Sequence, residues 1–250
     1  MPPKKSRLDL LLVKKGLAAS RQRARAMILS GCVLVDGIPR DKPGSLVLPD
    51  AAIEIKGDDL PYVSRGGLKL EAGLRETGLD VSGLICLDVG ASTGGFTDCL
   101  LQHDAARVFA VDVGYGQLAW SLRTDPRVTV IERTNIRHMP REALDTAVDL
   151  VTIDTAFISL KIVVPAVRKF MQPDAAILAL IKPQFEVGKG QVGKGGVVRD
   201  PAQHDQVVTE LSDFFKNSGL VTRAVIPSPI HGPKGNLEFI AYLRPKLSAF

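Results

Sequence analysis

From residue 84 to residue 181, short apolar runs alternate with stretches of helical spacing, and this rhythm restricts the chain more than any other feature. The runs fall at 84–89, 108–111, 128–131, 148–153 and 175–181. Strands this uniformly apolar are buried on both faces, and helices between successive strands supply the cover. The pattern therefore predicts an α/β domain with a doubly wound, mostly parallel sheet. A last pair of runs, 221–226 and 237–243, flanks a loop containing Pro227, Pro229, Gly232, Pro233 and Gly235. It is expected to close a seven-stranded sheet with an antiparallel edge.

The first of these strands runs into Asp88-Val89-Gly90-Ala91-Ser92-Thr93-Gly94-Gly95-Phe96-Thr97-Asp98. Glycines and small residues at a strand-to-helix turn let a ligand approach the backbone, so this turn is the candidate cofactor cradle. It departs from the dinucleotide fingerprint, because Ser92 stands at the second glycine position. Asp112, about 22 residues beyond Gly90, closes the second strand where a carboxylate can accept ribose hydroxyls. Two other motifs overlap the region or resemble it. Gly90-Ala91-Ser92-Thr93-Gly94 fits the nucleophile elbow of hydrolases, with Ser92 as nucleophile and His231 as base, but that elbow normally follows a late strand rather than the first. Gly188-Lys189-Gly190-Gln191-Val192-Gly193-Lys194-Gly195 approaches a phosphate-binding loop but has Gly195 where a Ser or Thr would hold magnesium. It reads better as a mobile basic loop.

Composition narrows the remaining classes. With 45% hydrophobic and 24% charged residues, the 250-residue chain is ordinary globular material. Its longest apolar run, 175–181, falls far short of the roughly 18 to 20 residues of a membrane-spanning helix. The basic start, Met1-Pro2-Pro3-Lys4-Lys5-Ser6-Arg7, lacks the apolar segment of a secretory signal, so a cytoplasmic location is expected. Cys32, Cys86 and Cys99 are isolated among apolar residues and read as reduced core thiols. His103, His138, His204 and His231 lack metal-ligand spacing, and no metal is expected.

Charge is unevenly spread. Residues 1–69 carry a net +6 and the remainder −1; within 1–40, nine basic side chains face only Asp9 and Asp36. A phosphate backbone suits such a surface, as does plain solvation. Leu8, Leu11, Leu12 and Val13 define one short helix, and Ser20 is a good N-cap for a second over 21–30 that Gly31 stops. Short strands are expected at 32–35, 46–47 and 53–55, with a turn at Asp36-Gly37. The run Arg7-Leu8-Asp9, Gly16, Ser20-Arg21-Gln22-Arg23-Ala24, Ile28 and Gly31-Cys32-Val33-Leu34-Val35-Asp36-Gly37 resembles a small RNA-binding domain of a ribosomal small-subunit protein. Pseudouridine synthases and tyrosyl-tRNA synthetases share that domain. The resemblance implies RNA contacts at Arg7, Ser20, Arg21 and Arg23, with Arg65 added to the set.

Polar residues recur at strand ends, where open α/β sheets place their chemistry: Asp154, Lys182 and Glu238, joined by Lys69 on a helix expected over 66–78. A lysine beside another lysine in a partly desolvated pocket can serve as a base. The segments Ser64-Arg65-Gly66-Gly67-Leu68-Lys69-Leu70, 88–96, Asp154-Thr155-Ala156-Phe157-Ile158-Ser159-Leu160, Lys182-Pro183-Gln184-Phe185-Glu186 and Gly235-Asn236-Leu237-Glu238 resemble the TlyA family. These are FtsJ-like ribosomal RNA 2′-O-methyltransferases, some of which carry the name hemolysin. Thr155-Ala156 stands where the pattern has Val-Ser, a change beside Asp154 that leaves the motif's charged residues in place.

The resemblance implies a Rossmann-like methyltransferase domain over 84–250, an RNA-binding domain over 1–60, and a linker with a bridging helix over 61–83. It implies a catalytic tetrad of Lys69, Asp154, Lys182 and Glu238, with Lys182 the base and Lys69 assisting it. The cofactor would be S-adenosylmethionine, held by Asp88, Gly90, Ser92, Thr93, Gly94, Gly95, Phe96, Asp112, Asn135 and Asp154. The substrate would be a cytidine ribose of ribosomal RNA within ribosomal subunits. Two competing expectations are a noncatalytic RNA-binding factor and a membrane-lytic protein; the latter needs an amphipathic or spanning apolar segment that the sequence does not display.

Overall fold

The computed structural model describes residues 5–18, 20–29, 31–55, 60–188, 190–193, 195–232 and 234–246. Met1–Lys4, Ser30, Lys189, Lys194 and Pro233 of the sequence reading lie outside the described residues. The chain divides into two compact units, Met1–Arg65 and Gly66–Phe250.

In the first unit, strand β1 (Ser6–Arg7) leads directly into helix α1 (Leu8–Lys14), followed by α2 (Arg21–Leu29). Ser20 starts α2 as the sequence predicts: its hydroxyl accepts the Arg23 amide at 3.1 Å. The strands are β2 (Val33–Val35), β3 (Ile38–Pro39), β4 (Leu46–Val47) and β5 (Ile53–Ile55). β1 pairs with β4, and β2 lies between β3 and β5. The β2–β3 hairpin turns at Asp36 and Gly37, whose φ values of 52° and 75° are the left-handed pair that such a tight turn demands. Leu8, Leu11, Leu12, Ala24, Met27, Ile28, Val33, Val35 and Val47 form a shared core. β1 and β3 escape the sequence reading because Ser6-Arg7 and Ile38-Pro39 lack the paired apolar residues that mark Leu46-Val47.

The second unit begins with α3 (Gly66–Thr77) and continues through β6 (Ile85–Val89), α4 (Gly95–Gln102), β7 (Arg107–Val111), α5 (Trp120–Arg123) and β8 (Val128–Ile131). It continues with β9 (Val148–Ile153), α6 (Leu160–Val167), β10 (Met171–Ile181), α7 (Pro183–Glu186), α8 (Pro201–Asn217), β11 (Leu220–Pro227) and β12 (Phe239–Pro245). The seven strands lie in the order β11-β12-β10-β9-β6-β7-β8. The five from β10 to β8 are mutually parallel, and β12 and β11 complete the sheet antiparallel. β10 starts four residues earlier than its apolar run, because Met171-Gln172-Pro173-Asp174 is less buried and Pro173 falls where the ladder shifts register. Leu87, Phe109, Val151, Ile177, Phe170 and Phe215 are among the residues packed in the core between sheet and helices. α3 belongs to this unit, lying against α4 and β12. Cys86 and Cys99 are buried, whereas Cys32 is only half-buried. Among the described residues no helix is long and apolar enough to cross a membrane, and no cluster of His, Cys, Asp or Glu could hold a metal ion.

Chain direction across the sheet changes beside β6. From β6 the chain steps to β7 and β8 on one side, then returns to place β9 and β10 on the other. The carboxyl ends of β6 and β9 consequently open a crevice at the switch point, where open α/β sheets bind ligands.

Candidate active site

The glycine turn occupies that crevice. Gly90 has φ +87°, and a Cβ there would lie 2.6 Å from the carbonyl oxygen of Asp154. The turn thus presses against the end of β9, with the Asp154 amide donating to the Val89 carbonyl at 2.9 Å. Gly94, at φ +100°, precedes α4, and Ser92 adopts φ 49° without being glycine. A non-glycine residue held in this region marks a turn fixed by its surroundings. The surroundings include Asp112, one carboxylate oxygen of which accepts the Ser92 amide at 2.7 Å and the other the Gly114 amide at 2.6 Å. The Ser92 hydroxyl donates to Gln117 at 3.3 Å. That partner gives Ser92 no base, which speaks against the hydrolase elbow.

The predicted cofactor residues occupy different depths. Ser92 is exposed, while Gly90, Thr93, Asp112 and Asn135 are partly accessible. The Asn135 loop is drawn beside Asp112 by the Thr134 amide, which donates to the Asp112 carbonyl at 3.0 Å. Gly94, Gly95 and Phe96 are buried. Asp88 is sealed from solvent: it accepts the Thr97 hydroxyl at 2.6 Å and the Thr152 hydroxyl at 3.1 Å. Burial drives its carboxyl up to about 7; the two hydroxyls oppose this and the nearby Asp154 charge adds to it. Asp88 therefore braces the turn from beneath, tying β6 to α4 and β9.

The four charged residues expected to act together come from α3 and from adjoining strand ends. β10 pairs Ile181 with Phe239 of β12, so Lys182 and Glu238, one residue further out, face the same end of the sheet. β9 pairs Ile153 with Ala179 of β10, which brings Asp154 to that end as well. Lys69 arrives on α3, which packs closely on β12: a Cβ at Gly73 would be 3.2 Å from Ile240. Two ion pairs result. Lys69 Nζ lies 2.6 Å from Glu238 Oε2, with side chains 9% and 1% exposed. Lys182 Nζ lies 2.6 Å from Asp154 Oδ1, with side chains 13% and 22% exposed. The sequence reading expects Lys69 to act on Lys182 directly. The closest partner of each lysine is instead a carboxylate, the arrangement that relieves two ammonium groups in a half-buried site of mutual repulsion.

In the second pair, Asp154 Oδ1 is buried against the Lys182 ammonium, so the two charges are held in direct contact. Two neighbours were quoted in the sequence motifs without a role. Glu186 accepts the Ser159 hydroxyl at 2.6 Å and the Leu160 amide at 2.8 Å, joining the loop after Asp154 to the turn after Lys182. Its carboxyl is raised by burial, against the pull of those donors. Phe157, 89% exposed with φ 62°, stands 4.9 Å from the Phe185 ring. A strained, solvent-facing aromatic has no sequence signature beyond its distance from Asp154.

The first unit gathers its own basic residues. Asp9, completely buried, accepts hydrogen bonds from Arg7 (3.0 and 2.9 Å) and Arg21 (3.0 Å). The Arg7 guanidinium, chiefly, and that of Arg21 hold its carboxyl down at about 2 against the effect of burial. Arg23 donates to the Leu60 carbonyl at 3.2 Å; Ser20 is exposed and Arg65 half-buried.

Together, the switch-point turn, the sheet order and the preceding α+β unit define a Rossmann-like methyltransferase with an appended RNA-binding module. Residues 62–244 match the FtsJ-like methyltransferase family and residues 6–53 the S4 domain. The chain belongs to the TlyA family. It is 49% identical to the 16S/23S rRNA (cytidine-2′-O)-methyltransferase TlyA of Mycobacterium tuberculosis, over 96% of this chain and 90% of that one. Hemolysin A of Brachyspira hyodysenteriae is 39% identical over 94% of this chain and 98% of its own. A solved structure from Streptococcus thermophilus, described as a hemolysin candidate, superposes with a TM-score of 0.78 at 40% identity, covering 98% of this chain and 90% of that one.

Proposed function

We propose that this protein transfers a methyl group from S-adenosylmethionine to the 2′-hydroxyl of a cytidine ribose in ribosomal RNA, acting in the cytoplasm on ribosomal subunits. The observation that carries the reading is the pair of lysine–carboxylate contacts gathered at the strand ends beside the glycine turn. The residues present fit the cofactor. Gly90 and Gly94 let the turn lie flat against the end of β9 and against Leu118 and Leu122, where a side chain would collide, and Asp112 is held in place as an acceptor by two backbone amides.

When bound, S-adenosylmethionine supplies an electrophilic methyl on a sulfonium sulfur. The protein's task is then to align the ribose oxygen and remove its proton. Lys182, in its amine form, would accept the proton of the ribose 2′-hydroxyl as that oxygen takes the methyl group. Asp154, 2.6 Å from Lys182 Nζ, would hold that amine toward the reacting oxygen. Lys69, fixed by Glu238, hydrogen-bonds the ribose and keeps it in line. Asp112 accepts the cofactor's ribose hydroxyls, Asn135 lines the same pocket, and Asp88 keeps the turn in shape. Arg7, Ser20, Arg21, Arg23 and Arg65 hold RNA phosphates, which orients the substrate without reading its sequence.

The test is transfer of labelled methyl to unmethylated small, large and joined ribosomal subunits, with Lys182→Ala alongside. Label on a ribose 2′-oxygen, lost in the variant while S-adenosylhomocysteine still binds, is the expected result. Cofactor binding without transfer to any ribosomal RNA would overturn the substrate, and substantial activity in Lys182→Ala would overturn its role as base.

A further inference from the structure

We infer that Asp9 is a positioning residue for RNA, holding Arg7 and Arg21 side by side as a prearranged two-pronged phosphate clamp. The inference rests on the RNA-binding reading above and adds to it an acidic residue that charge counting would set against RNA. A fully buried carboxylate is tolerated only when its oxygens are well satisfied. Asp9 Oδ1 accepts Arg7 Nε and the Leu10 amide, each at 3.0 Å; Oδ2 accepts Arg7 Nη2 at 2.9 Å and Arg21 Nε at 3.0 Å. Arg7 is thereby gripped along one edge of its planar group, and Arg21 by Nε alone.

Both arginines stay accessible to solvent. The Arg7 and Arg21 side chains are 43% and 54% exposed while Asp9 is sealed beneath them. Among the described residues, Arg7 Nη1 and both terminal nitrogens of Arg21 make no hydrogen bond. Gly44 adds a second mark of a fitted group, since a Cβ there would stand only 3.3 Å from Arg7 Nη1. Two guanidinium groups anchored on one carboxylate cannot drift apart, although their like charges would otherwise separate them. The carboxyl stays ionised down to about pH 2, so the anchor persists across working conditions. A phosphate then meets donors whose side-chain freedom is already lost, which lowers the entropic cost of binding.

The experiment has an unusual sign. Asp9→Asn removes a negative charge from a basic surface, so electrostatics alone predicts tighter binding to a polyanion. Positioning predicts weaker binding, by roughly tenfold for two released side chains. The full-length protein is titrated with a fluorescein-labelled stem-loop RNA and with deproteinised ribosomal RNA at several salt concentrations, its fold checked by circular dichroism. Arg7→Lys with Arg21→Lys keeps both charges but loses the planar fork, and is expected to weaken binding severalfold. Adding Asp9→Asn to that pair should then change little, whereas losses due only to loosened folding would accumulate. Equal or tighter binding by folded Asp9→Asn overturns the inference. If that variant does not fold, unchanged affinity of the lysine pair overturns it instead. A wild-type protein that binds neither RNA overturns the RNA reading itself.

Discussion

Replacing Asp88 with Asn should make the fold more stable at alkaline pH, although it removes a charged residue from the centre of the site. Asp88 is completely buried and its carboxyl is raised to about 7 from 3.8. Because the folded state binds this proton more tightly than the unfolded chain, stability contributed by the protonated group is fully present below about pH 4 and is lost as pH rises through about 7. A shift of about three units at 1.36 kcal/mol each sets the loss at roughly 4 kcal/mol. Asn keeps the shape, accepts one of the two threonine hydroxyls and donates to the other, as the protonated carboxyl can. Asp88→Asn should therefore exceed the wild type by roughly 4 kcal/mol near pH 8 and show little advantage near pH 4. Urea unfolding of both proteins across that range measures the difference directly. A gap that stays constant with pH would refute the reasoning, since it would mean that Asp88 titrates alike in both states.

Other substitutions separate shape from charge. Lys69→Met leaves Glu238 buried without its partner and should cost about 3–5 kcal/mol in urea unfolding, with Lys69→Met/Glu238→Leu recovering much of it but no activity. Gly90→Ala puts a methyl 2.6 Å from the Asp154 carbonyl at φ +87°, so calorimetry should show S-adenosylhomocysteine binding lost and the melting temperature lowered. Phe157→Gly relieves a left-handed backbone and removes a ring that is 89% exposed, so thermal stability should hold or rise slightly. Methyl transfer by that variant should fall through a raised KM for RNA, because an exposed ring paired with Phe185, on the segments that follow Asp154 and Lys182, offers a stacking surface for a base.

The sheet was legible because its inner strands are buried on both faces, so apolar runs stand out unbroken at 108–111 and 175–181. The start of β10 was not, since sheet pairing there continues through polar residues and a proline. The Ser20 cap and the Asp36-Gly37 turn were legible because each rests on one residue's own chemistry. Pairing among charges was harder to read. Lys69 and Glu238 are separated by 169 positions, and nothing local says that they meet. Asp9 was counted only as a charge opposing its neighbours, because burial, which makes it the centre of two arginine contacts, is a property of the folded unit.

The two lysine–carboxylate pairs differ in a way that divides their labour. Lys69 and Glu238 are both almost sealed, and Glu238 sits where a Cβ on Gly232 would collide with it. A pair so enclosed is costly to disrupt, which suits the proposed role of holding a ribose. Lys182 and Asp154 are more exposed. The proposed base has to shed a proton between turnovers, and solvent access at Lys182 suits that role. If the division holds, Lys69→Arg should raise KM for RNA with a smaller change in kcat, because it keeps the charge but alters the fit. Lys182→Arg should abolish kcat at every accessible pH, because a guanidinium does not surrender its proton. A Lys182→Arg enzyme that retained a pH-dependent rate would place the base elsewhere.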